Sequence, residues 1–327
     1  MMRYLVTRTA SWLAMIFIAV NITYFLACAF LDPRANYVGR RPPIPEERVD
    51  ALLTPLNLND KVPIVERWWT WLTNILTHWD WGQSPTGASV NEEISYRIFV
   101  SAQLLLLSTI LTVVIGIAVG VYTASRQYKR ADRAWQFVSI VAMNTHVVVA
   151  SLLLVWIAIT INRATGMRIF YVTGSSTTGV EGFFPRLLDL GQHLVLPTIS
   201  LVIISYASYH FLQRSMLLDN INADYVRTAR AKGLTKAEAI RRHALRTSII
   251  PVATSVAFSI PGIFTGAIMT EAIFGWNGMG RYFIETISKN DIHGAVGFAA
   301  FGALCTAVGA ILSDLLVVAL DPRVKVS

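Results

Sequence analysis

The sequence predicts an all-α membrane protein that crosses the bilayer six times. Of its 327 residues 54% are hydrophobic and only 15% are charged, and a soluble domain of this size cannot bury so much apolar surface. Six apolar segments also approach or exceed the roughly 20 helical residues that span a bilayer core. They lie at 10–31, 98–124, 135–161, 193–213, 249–274 and 294–320. In such a protein the net charge of +8 concerns orientation, and we expect no nucleic-acid partner.

The distribution of Lys and Arg predicts that both termini are cytoplasmic. With the N-terminus inside, the cytoplasmic pieces hold 16 Lys or Arg, whereas the two short outer loops hold five. Cytoplasmic loops carry this excess of positive charge in membrane proteins. The chain then divides into a first span at 1–31, an extracytoplasmic segment at 32–97, a core of five spans at 98–320 and a cytoplasmic tail at 321–327.

The first apolar segment is predicted to be an uncleaved membrane anchor. Arg3 and Arg8 precede it, and Ala27-Cys28-Ala29 resembles a signal-peptide cleavage site, so a cleaved signal is the alternative. The hydrophobic core of a signal peptide is about 7 to 15 residues long, however, and this run is longer.

The extracytoplasmic segment contains a predicted amphipathic helix after Pro63. Large apolar residues recur there at helical spacing, namely Val65, Trp68, Trp69, Leu72, Leu76 and Trp79. Tryptophan is enriched where a membrane meets water, so we expect this helix to lie in the outer interface. A docking face for an external binding protein is the alternative role.

The loop at 218–248, between the fourth and fifth spans, is strongly basic yet carries the signals of folded structure. Asn222 is a candidate N-cap for a helix over 224–232, and Gly233 suits a left-handed helix stop. Thr235 to Glu238 reads as a capping box that opens a second helix. Ala237, Ile240 and Ala244 predict an apolar stripe on that helix. The simpler reading is that the positive charge only fixes orientation.

Three stretches resemble one family. DYVRTARAKGL and RRHALRTSIIP in this loop, and EAIFGWNGMG at 271–280, are similar to the permeases of oligopeptide and dipeptide ABC importers. The family signature Glu-Ala-Ala, three residues, Gly aligns with Arg227-Thr228-Ala229 and Gly233, with Arg227 and Thr228 departing from it. The resemblance implies a type I ABC importer permease fold whose loop inserts into a separate ATPase subunit. The implied coupling residues are Asp224, Tyr225, Arg227, Thr228, Ala229, Arg230, Ala231, Lys232, Gly233 and Leu234.

The resemblance also implies partners and a cargo. The partners are a second, homologous permease forming a heterodimer, two cytoplasmic ATPase subunits, an extracytoplasmic solute-binding protein and the lipid bilayer of a bacterial cytoplasmic membrane. The sequence has no GxxxxGK[ST] motif to cradle nucleotide phosphates. We therefore expect no cofactor and no enzymatic site in this chain, with ATP and Mg²⁺ held by the ATPase partners and peptides as the cargo.

Polar and helix-bending residues inside the spans are candidates for a gate or pathway, namely Asn144, His146, Pro261, Gly262 and Glu271. Intramembrane charge is costly, so Glu271 asks for a functional reason, although it could also extend to the outer interface. Pro261-Gly262 predicts a kink that is either a moving gate or a static bend. Gly116 with Gly120, and Gly262 with Gly266, form GxxxG pairs that favour close helix packing. An ion-coupled secondary transporter remains the alternative function, and a membrane enzyme lacks a recognisable constellation.

Overall fold

A computed structural model of the protein describes the backbone of residues 2–39, 41–265 and 267–320, and the side chains of 7–39, 41–257, 259, 262 and 267–312. In this part of the chain every named element of secondary structure is a helix. The first six are α1 Met2–Phe30, α2 Glu46–Leu53, α3 Ile64–His78, α4 Val90–Ser125, α5 Arg130–Asn144 and α6 Val147–Thr165. The others are α7 Phe183–Ile221, α8 Asp224–Ala231, α9 Lys236–Ala239, α10 Leu245–Thr265, α11 Ile268–Ile273, α12 Met279–Ser288 and α13 Ile292–Leu320. A 3₁₀ helix covers Pro33–Tyr37, and a π-helical turn at Ile240–Ala244 joins α9 to α10.

Five helices in the described part are long and apolar enough to cross a membrane. They are Thr7–Phe30 of α1, all of α4, α6 and α7, and Ile292–Leu312 of α13. The predicted fifth span at 249–274 falls on α10 and α11, and part of it lies outside the residues whose side chains the structure describes. An integral membrane protein is therefore established, whereas the six-span arrangement stays a prediction. The predicted tail at 321–327 lies outside the described residues.

The predicted third span is not one helix but two. Helix α5 ends at Asn144, and α6 starts at Val147 after two extended residues, Thr145 and His146. The His146 ring caps α6 by accepting a hydrogen bond from the Val148 amide at 3.3 Å. Asn144 and His146 are therefore at a break between helices, and both side chains are exposed. The expectation that they lie within a continuous span is wrong, because a local cap replaces the helical hydrogen bonds there.

The Trp-rich helix is present as α3, and it packs on the outer half of α1. Its buried side includes Trp71 and Ile75, and the Trp71 ring stacks on Tyr24 of α1 with centroids 4.7 Å apart. The Trp68 indole N–H donates to the Asn21 side-chain oxygen at 2.5 Å. Part of the predicted apolar face remains exposed, namely Val65, Trp69, Leu76 and Trp79. This exposed part fits contact with lipid, and its place in the outer interface stays a prediction.

Close packing of α4 on α7 organises the centre of the molecule. A Cβ at Gly116 would lie 2.5 Å from the Tyr209 Cβ, and one at Gly120 would lie 2.8 Å from the Gln213 Cβ. Only glycine fits at either place, because backbone carbonyls of α7 also approach within 3 Å of these positions. A Cβ at Gly262 would meet no described atom within 4 Å, and close packing at the second GxxxG pair stays a prediction. Gly266 and the Pro261 side chain are outside the described set.

Candidate functional site

Helix α8 is fastened to the inner ends of the long helices by one apolar side. Its Val226 and Ala229 are only 2% and 7% exposed, and they pack in one cluster with Ala124 of α4 and Leu217 of α7. The predicted N-cap was displaced by one residue. Asn222 ends α7, and Ala223 is the N-cap of α8.

A glycine corner stops α8 where it was predicted. Gly233 has φ +98°, a left-handed conformation that is strained for any residue with a Cβ. Its amide donates to the Arg230 carbonyl at 3.0 Å, and the Leu234 amide donates to the Ala229 carbonyl at 3.3 Å. These two bonds form a Schellman motif, which satisfies the last carbonyls of the helix. The corner therefore gives α8 a defined end and direction.

The capping box after the corner is present in both of its halves. The Thr235 hydroxyl accepts from the Glu238 amide at 3.3 Å, and the Glu238 carboxylate accepts from the Thr235 amide at 3.0 Å. The hydroxyl of Thr235 also donates to that carboxylate, and together these bonds lower the pKa of Glu238.

The apolar stripe that follows the capping box differs from the prediction. Ala239, Ile240 and Ala244 are buried, but Ala237 is exposed. In the π-helical turn the Leu245 amide bonds to the Ile240 carbonyl, five residues back. Ala237 lies in the first turn of α9, before this wider turn, and the buried position on α9 is Ala239 instead.

The other side of α8 carries most of the predicted coupling residues and faces away from the protein. The exposed members are Asp224, Tyr225, Arg227, Thr228, Arg230, Ala231, Lys232 and Gly233, whereas Leu234 is half-buried. Arg227 lies 3.8 Å from Asp224 in an exposed pair, which contributes little stability. Among the described residues Arg230 and Lys232 form no ion pair. The outward face of α8 is therefore basic and can accept an acidic partner surface.

Directly beneath α8, polar contacts between four helices form an inner polar cluster. It consists of Thr123 on α4, Asp132 and Ser139 on α5, His210, Gln213 and Arg214 on α7, and Ser248 on α10. The His210 ring lies 3.0 Å from the Thr123 hydroxyl and 2.7 Å from the Ser139 hydroxyl. The Gln213 amide donates to Ser248 at 3.0 Å. These contacts tie the inner ends of the helices together.

Arg214 and Asp132 complete the inner polar cluster as a paired charge. Two nitrogens of the Arg214 guanidinium donate to the two oxygens of Asp132 at 2.9 and 3.0 Å. Although burial opposes ionisation of Asp132, the bonds from Arg214, the Tyr128 amide and Gln136 prevail, and its pKa is lowered. The bidentate geometry keeps both charges neutralised without water.

An outer polar cluster surrounds Glu271, which is fully buried. Its carboxylate accepts from the Ser101 hydroxyl at 2.7 Å and from the amides of Ala267 and Arg281 at 3.3 and 3.1 Å. Ser101 in turn accepts from the Met279 amide at 2.7 Å. Glu271 does not extend to the interface, because these donors enclose it and link α4 to the α11–α12 turn.

Between the two polar clusters lies a cavity of 580 Å³ that is bordered by α4, α5, α7 and α10. We call it the hydroxyl-lined cavity, since eight of its side chains carry a hydroxyl, namely Ser108, Thr109, Thr112, Ser205, Ser208, Tyr209, Ser255 and Ser259. At 1.5 Å per residue, Ser108 lies about 10 Å from Ser101 along α4. Thr112 lies about 16 Å from Thr123 by the same measure. The cavity therefore occupies the middle of the helix bundle.

None of the predicted gate residues with a described side chain lines this cavity. Asn144 and His146 are at the α5–α6 break, Glu271 is in the outer polar cluster, and Gly262 is elsewhere on α10. The sequence signal that could have found the cavity was the repeat of hydroxyls at helical spacing, as in Ser205 with Ser208. Pairs of hydroxyl residues at this spacing are common in helices, so a single pair does not predict a cavity. Among the described residues no group of three His, Cys, Asp or Glu gathers to hold a metal ion.

Comparison with known proteins assigns the chain to a family. Residues 116–326 match the family described as binding-protein-dependent transport system inner membrane component. The chain is 36% identical to the oligopeptide transport system permease protein OppB of Mycobacterium tuberculosis over 328 residues, covering 100% of each chain. It is 28% identical to the oligopeptide permease AppB of Bacillus subtilis over 99% of this chain and 100% of that protein.

A third relative carries a different transport name. The dipeptide transport system permease protein DppB of Bacillus subtilis is 27% identical over 99% of this chain and 98% of that protein. The family match covers the α8 loop, the inner polar cluster and the outer polar cluster's α11–α12 turn. The chain therefore belongs to the binding-protein-dependent transport permeases, among the oligopeptide and dipeptide permeases.

Proposed function

We propose that this chain is a pore-forming subunit of an ABC importer that moves peptides into the cell, driven by separate ATPase subunits. Membership of the permease family supports a transport role, and the printed names of the relatives support peptides as the cargo. By this proposal the chain hydrolyses nothing itself, and ATP with Mg²⁺ is bound by the ATPase partners.

The observation that carries the proposal is the two-sided character of α8. One side is buried through Val226 and Ala229 in an apolar cluster that also contains Ala124 of α4, Leu217 of α7 and the buried residues of α9 and the π-helical turn, Ala239, Ile240 and Ala244. The opposite side presents exposed basic residues that form no ion pair within the described part of the chain, among them Arg230 and Lys232. A helix that is packed on one side and exposed on the other can transmit the movement of a partner to the helices against which it packs.

The proposed mechanism is alternating access. Closure of the ATPase pair around ATP moves α8 as a rigid body, because the Schellman motif and the capping box fix the C-terminal end of α8 and the start of α9, and the apolar cluster holds its buried side. The ends of α4 and α7 move with α8, so access changes from one side of the membrane to the other. We propose a homologous permease as the second half of the pathway and an external solute-binding protein as the donor of cargo. Both termini are then cytoplasmic in a bacterial inner membrane.

A charge reversal on α8 tests this function. We expect the gently solubilised wild-type chain to co-purify with an ATPase, and Arg227→Glu with Arg230→Glu to weaken that association about tenfold, because repulsion replaces charge complementarity across the interface. Lys129→Glu with Arg130→Glu is the control, since it reverses two exposed basic residues on a different cytoplasmic turn. The readouts are ATPase bound per chain and ATP-dependent peptide uptake.

Two results would contradict the proposal. One is a wild-type chain that binds no ATPase but catalyses uptake driven by a proton or sodium gradient, which is the behaviour of an ion-coupled transporter. The other is an α8 variant that keeps its ATPase while the control variant loses it.

A further inference from the structure

Two serines in the middle of α7 are exposed and have no hydrogen-bond partner among the described residues. Ser205 and Ser208 are both exposed, and among the described residues neither hydroxyl makes a hydrogen bond. Several exposed hydroxyls on other helices bond to a carbonyl of their own helix instead. Thr160 on α6 bonds to the Trp156 carbonyl at 2.9 Å, and Thr23 on α1 bonds to the Ala19 carbonyl at 2.8 Å. A bilayer core offers no partner to an open hydroxyl, so Ser205 and Ser208 face something polar.

What they face is the hydroxyl-lined cavity, and its wall contains no charged side chain. The charged side chains of the two polar clusters lie on either side of the cavity, and hydrogen bonds hold each of them in its cluster. Glu271 is enclosed in the outer polar cluster, and Asp132 is paired with Arg214 in the inner polar cluster. A hydroxyl can donate and accept, so it matches both the N–H and the C=O of a peptide main chain. A wall of this kind can hydrogen-bond the main chain of a peptide without selecting for the charge of the peptide's side chains.

We infer that the hydroxyl-lined cavity is one wall of the solute pathway, at which Ser205, Ser208 and Thr112 hydrogen-bond the main-chain amides of a passing peptide. The volume of 580 Å³ is within the usual range of about 300 to 1,000 Å³ for ligand pockets. The exposed serines leave this wall open on one side, so a second permease subunit must complete it. The peptide as ligand rests on the proposed function, whereas the inference that water reaches the hydroxyls of this wall does not.

Thiol labelling tests the wall independently of ATP-driven transport. In the full complex, with Cys28→Ala and Cys305→Ala, we expect Ser208→Cys to react with a membrane-impermeant cationic methanethiosulfonate reagent. We also expect saturating trialanine to slow that reaction about tenfold, because bound peptide covers the thiol. Thr160→Cys is the matched control on a helix surface outside the cavity, and it should stay unreactive. An unreactive thiol at position 208, or a reactive one that trialanine does not protect, overturns the inference.

Transport measurements then test the role of the hydroxyls. Ser205→Leu with Ser208→Leu should lower uptake about tenfold for neutral, acidic and basic tripeptides alike, because each unmatched amide in the pathway loses a partner. The Ser205→Thr and Ser208→Thr pair keeps both hydroxyls and should stay within about threefold of wild type. Normal uptake by the leucine pair, a loss restricted to one peptide charge, or failure of that pair to assemble with the partner permease would each overturn the inference.

The two proposals fail in distinguishable ways. If the wild-type complex shows no ATP-dependent uptake, the proposed function fails while labelling at position 208 still reports on the wall. If wild-type uptake is ATP-driven and position 208 is inert to the reagent, the proposed function stands and the wall is elsewhere.

Discussion

Glu271 shows how a single buried carboxylate can tie separate helices together. Its carboxylate oxygens accept hydrogen bonds from the Ser101 hydroxyl and from the backbone amides of Ala267 and Arg281. The surrounding glycines leave room for it, since a Cβ at Gly278 would collide with both Glu271 and Ser101. A residue that joins α4 to the α11–α12 turn in this way is a structural tie whose release would loosen the outer face.

Glu271→Ala should therefore affect both stability and gating. It leaves three donors without an acceptor, each of which costs about 1 to 3 kcal/mol when buried, so the melting temperature of the solubilised complex should fall. ATP hydrolysis in the absence of cargo should rise, because the outer end no longer holds its resting conformation. Glu66→Ala on the exposed side of α3 is the control and should change neither quantity. Unchanged melting temperature and unchanged basal hydrolysis in Glu271→Ala would show that the tie is dispensable.

At the scale of elements, the contact between α4 and α7 depends on two missing side chains. Gly120→Leu should disrupt it, because even a Cβ there would lie 2.8 Å from the Gln213 Cβ and 2.9 Å from the His210 carbonyl oxygen. We expect a loss of stability of about 1 to 3 kcal/mol or more, as overpacking usually causes, measured as a lower melting temperature. Gly191→Leu on α7 is the matched control, since no described atom lies within 4 Å of its Cβ position. Equal melting temperatures for the two variants would show that α4 and α7 are not packed this closely.

Elements defined by neighbouring residues could be predicted from the sequence, and those defined by distant contacts could not. The Thr235–Glu238 capping box and the Gly233 corner depend on residues within five positions of one another, so the local sequence predicts both of them. The α5–α6 break at His146 contains no proline or glycine, so the sequence carried no signal that predicts it. Ala237 was misplaced because the residue of α9 that is buried in the apolar cluster with α8 is Ala239, and such packing depends on tertiary contacts. Glu271 and Ser101 are 170 positions apart, and only the tertiary fold brings them together.

On the scale of the whole molecule, α4 connects every functional layer. Its Ser101 belongs to the outer polar cluster, and Ser108 and Thr112 line the hydroxyl-lined cavity. Further along, Gly120 packs against α7, and Thr123 contacts His210 of the inner polar cluster. The next residue, Ala124, touches the apolar cluster that seats α8. Because packed helices move as units rather than deform continuously, a displacement of α8 reaches the cavity through α4 and α7 together.

This continuity predicts that misplacing α8 uncouples the machine without unfolding it. Ala229→Leu inserts a larger side chain between α8 and the ends of α4 and α7, and Gly233→Pro cannot adopt φ +98° and removes the amide that bonds to Arg230. In both variants we expect peptide uptake and cargo-stimulated ATP hydrolysis to fall at least about tenfold, as for a change of about 1.4 kcal/mol in coupling free energy. The chain should remain in the membrane and bound to its partners, as measured by co-purification. Ala237→Leu is the control, because that alanine belongs to the same loop but is exposed, and it should transport normally. Wild-type coupling in Ala229→Leu would mean that α8 does not carry the motion, since its seat would have been altered without consequence.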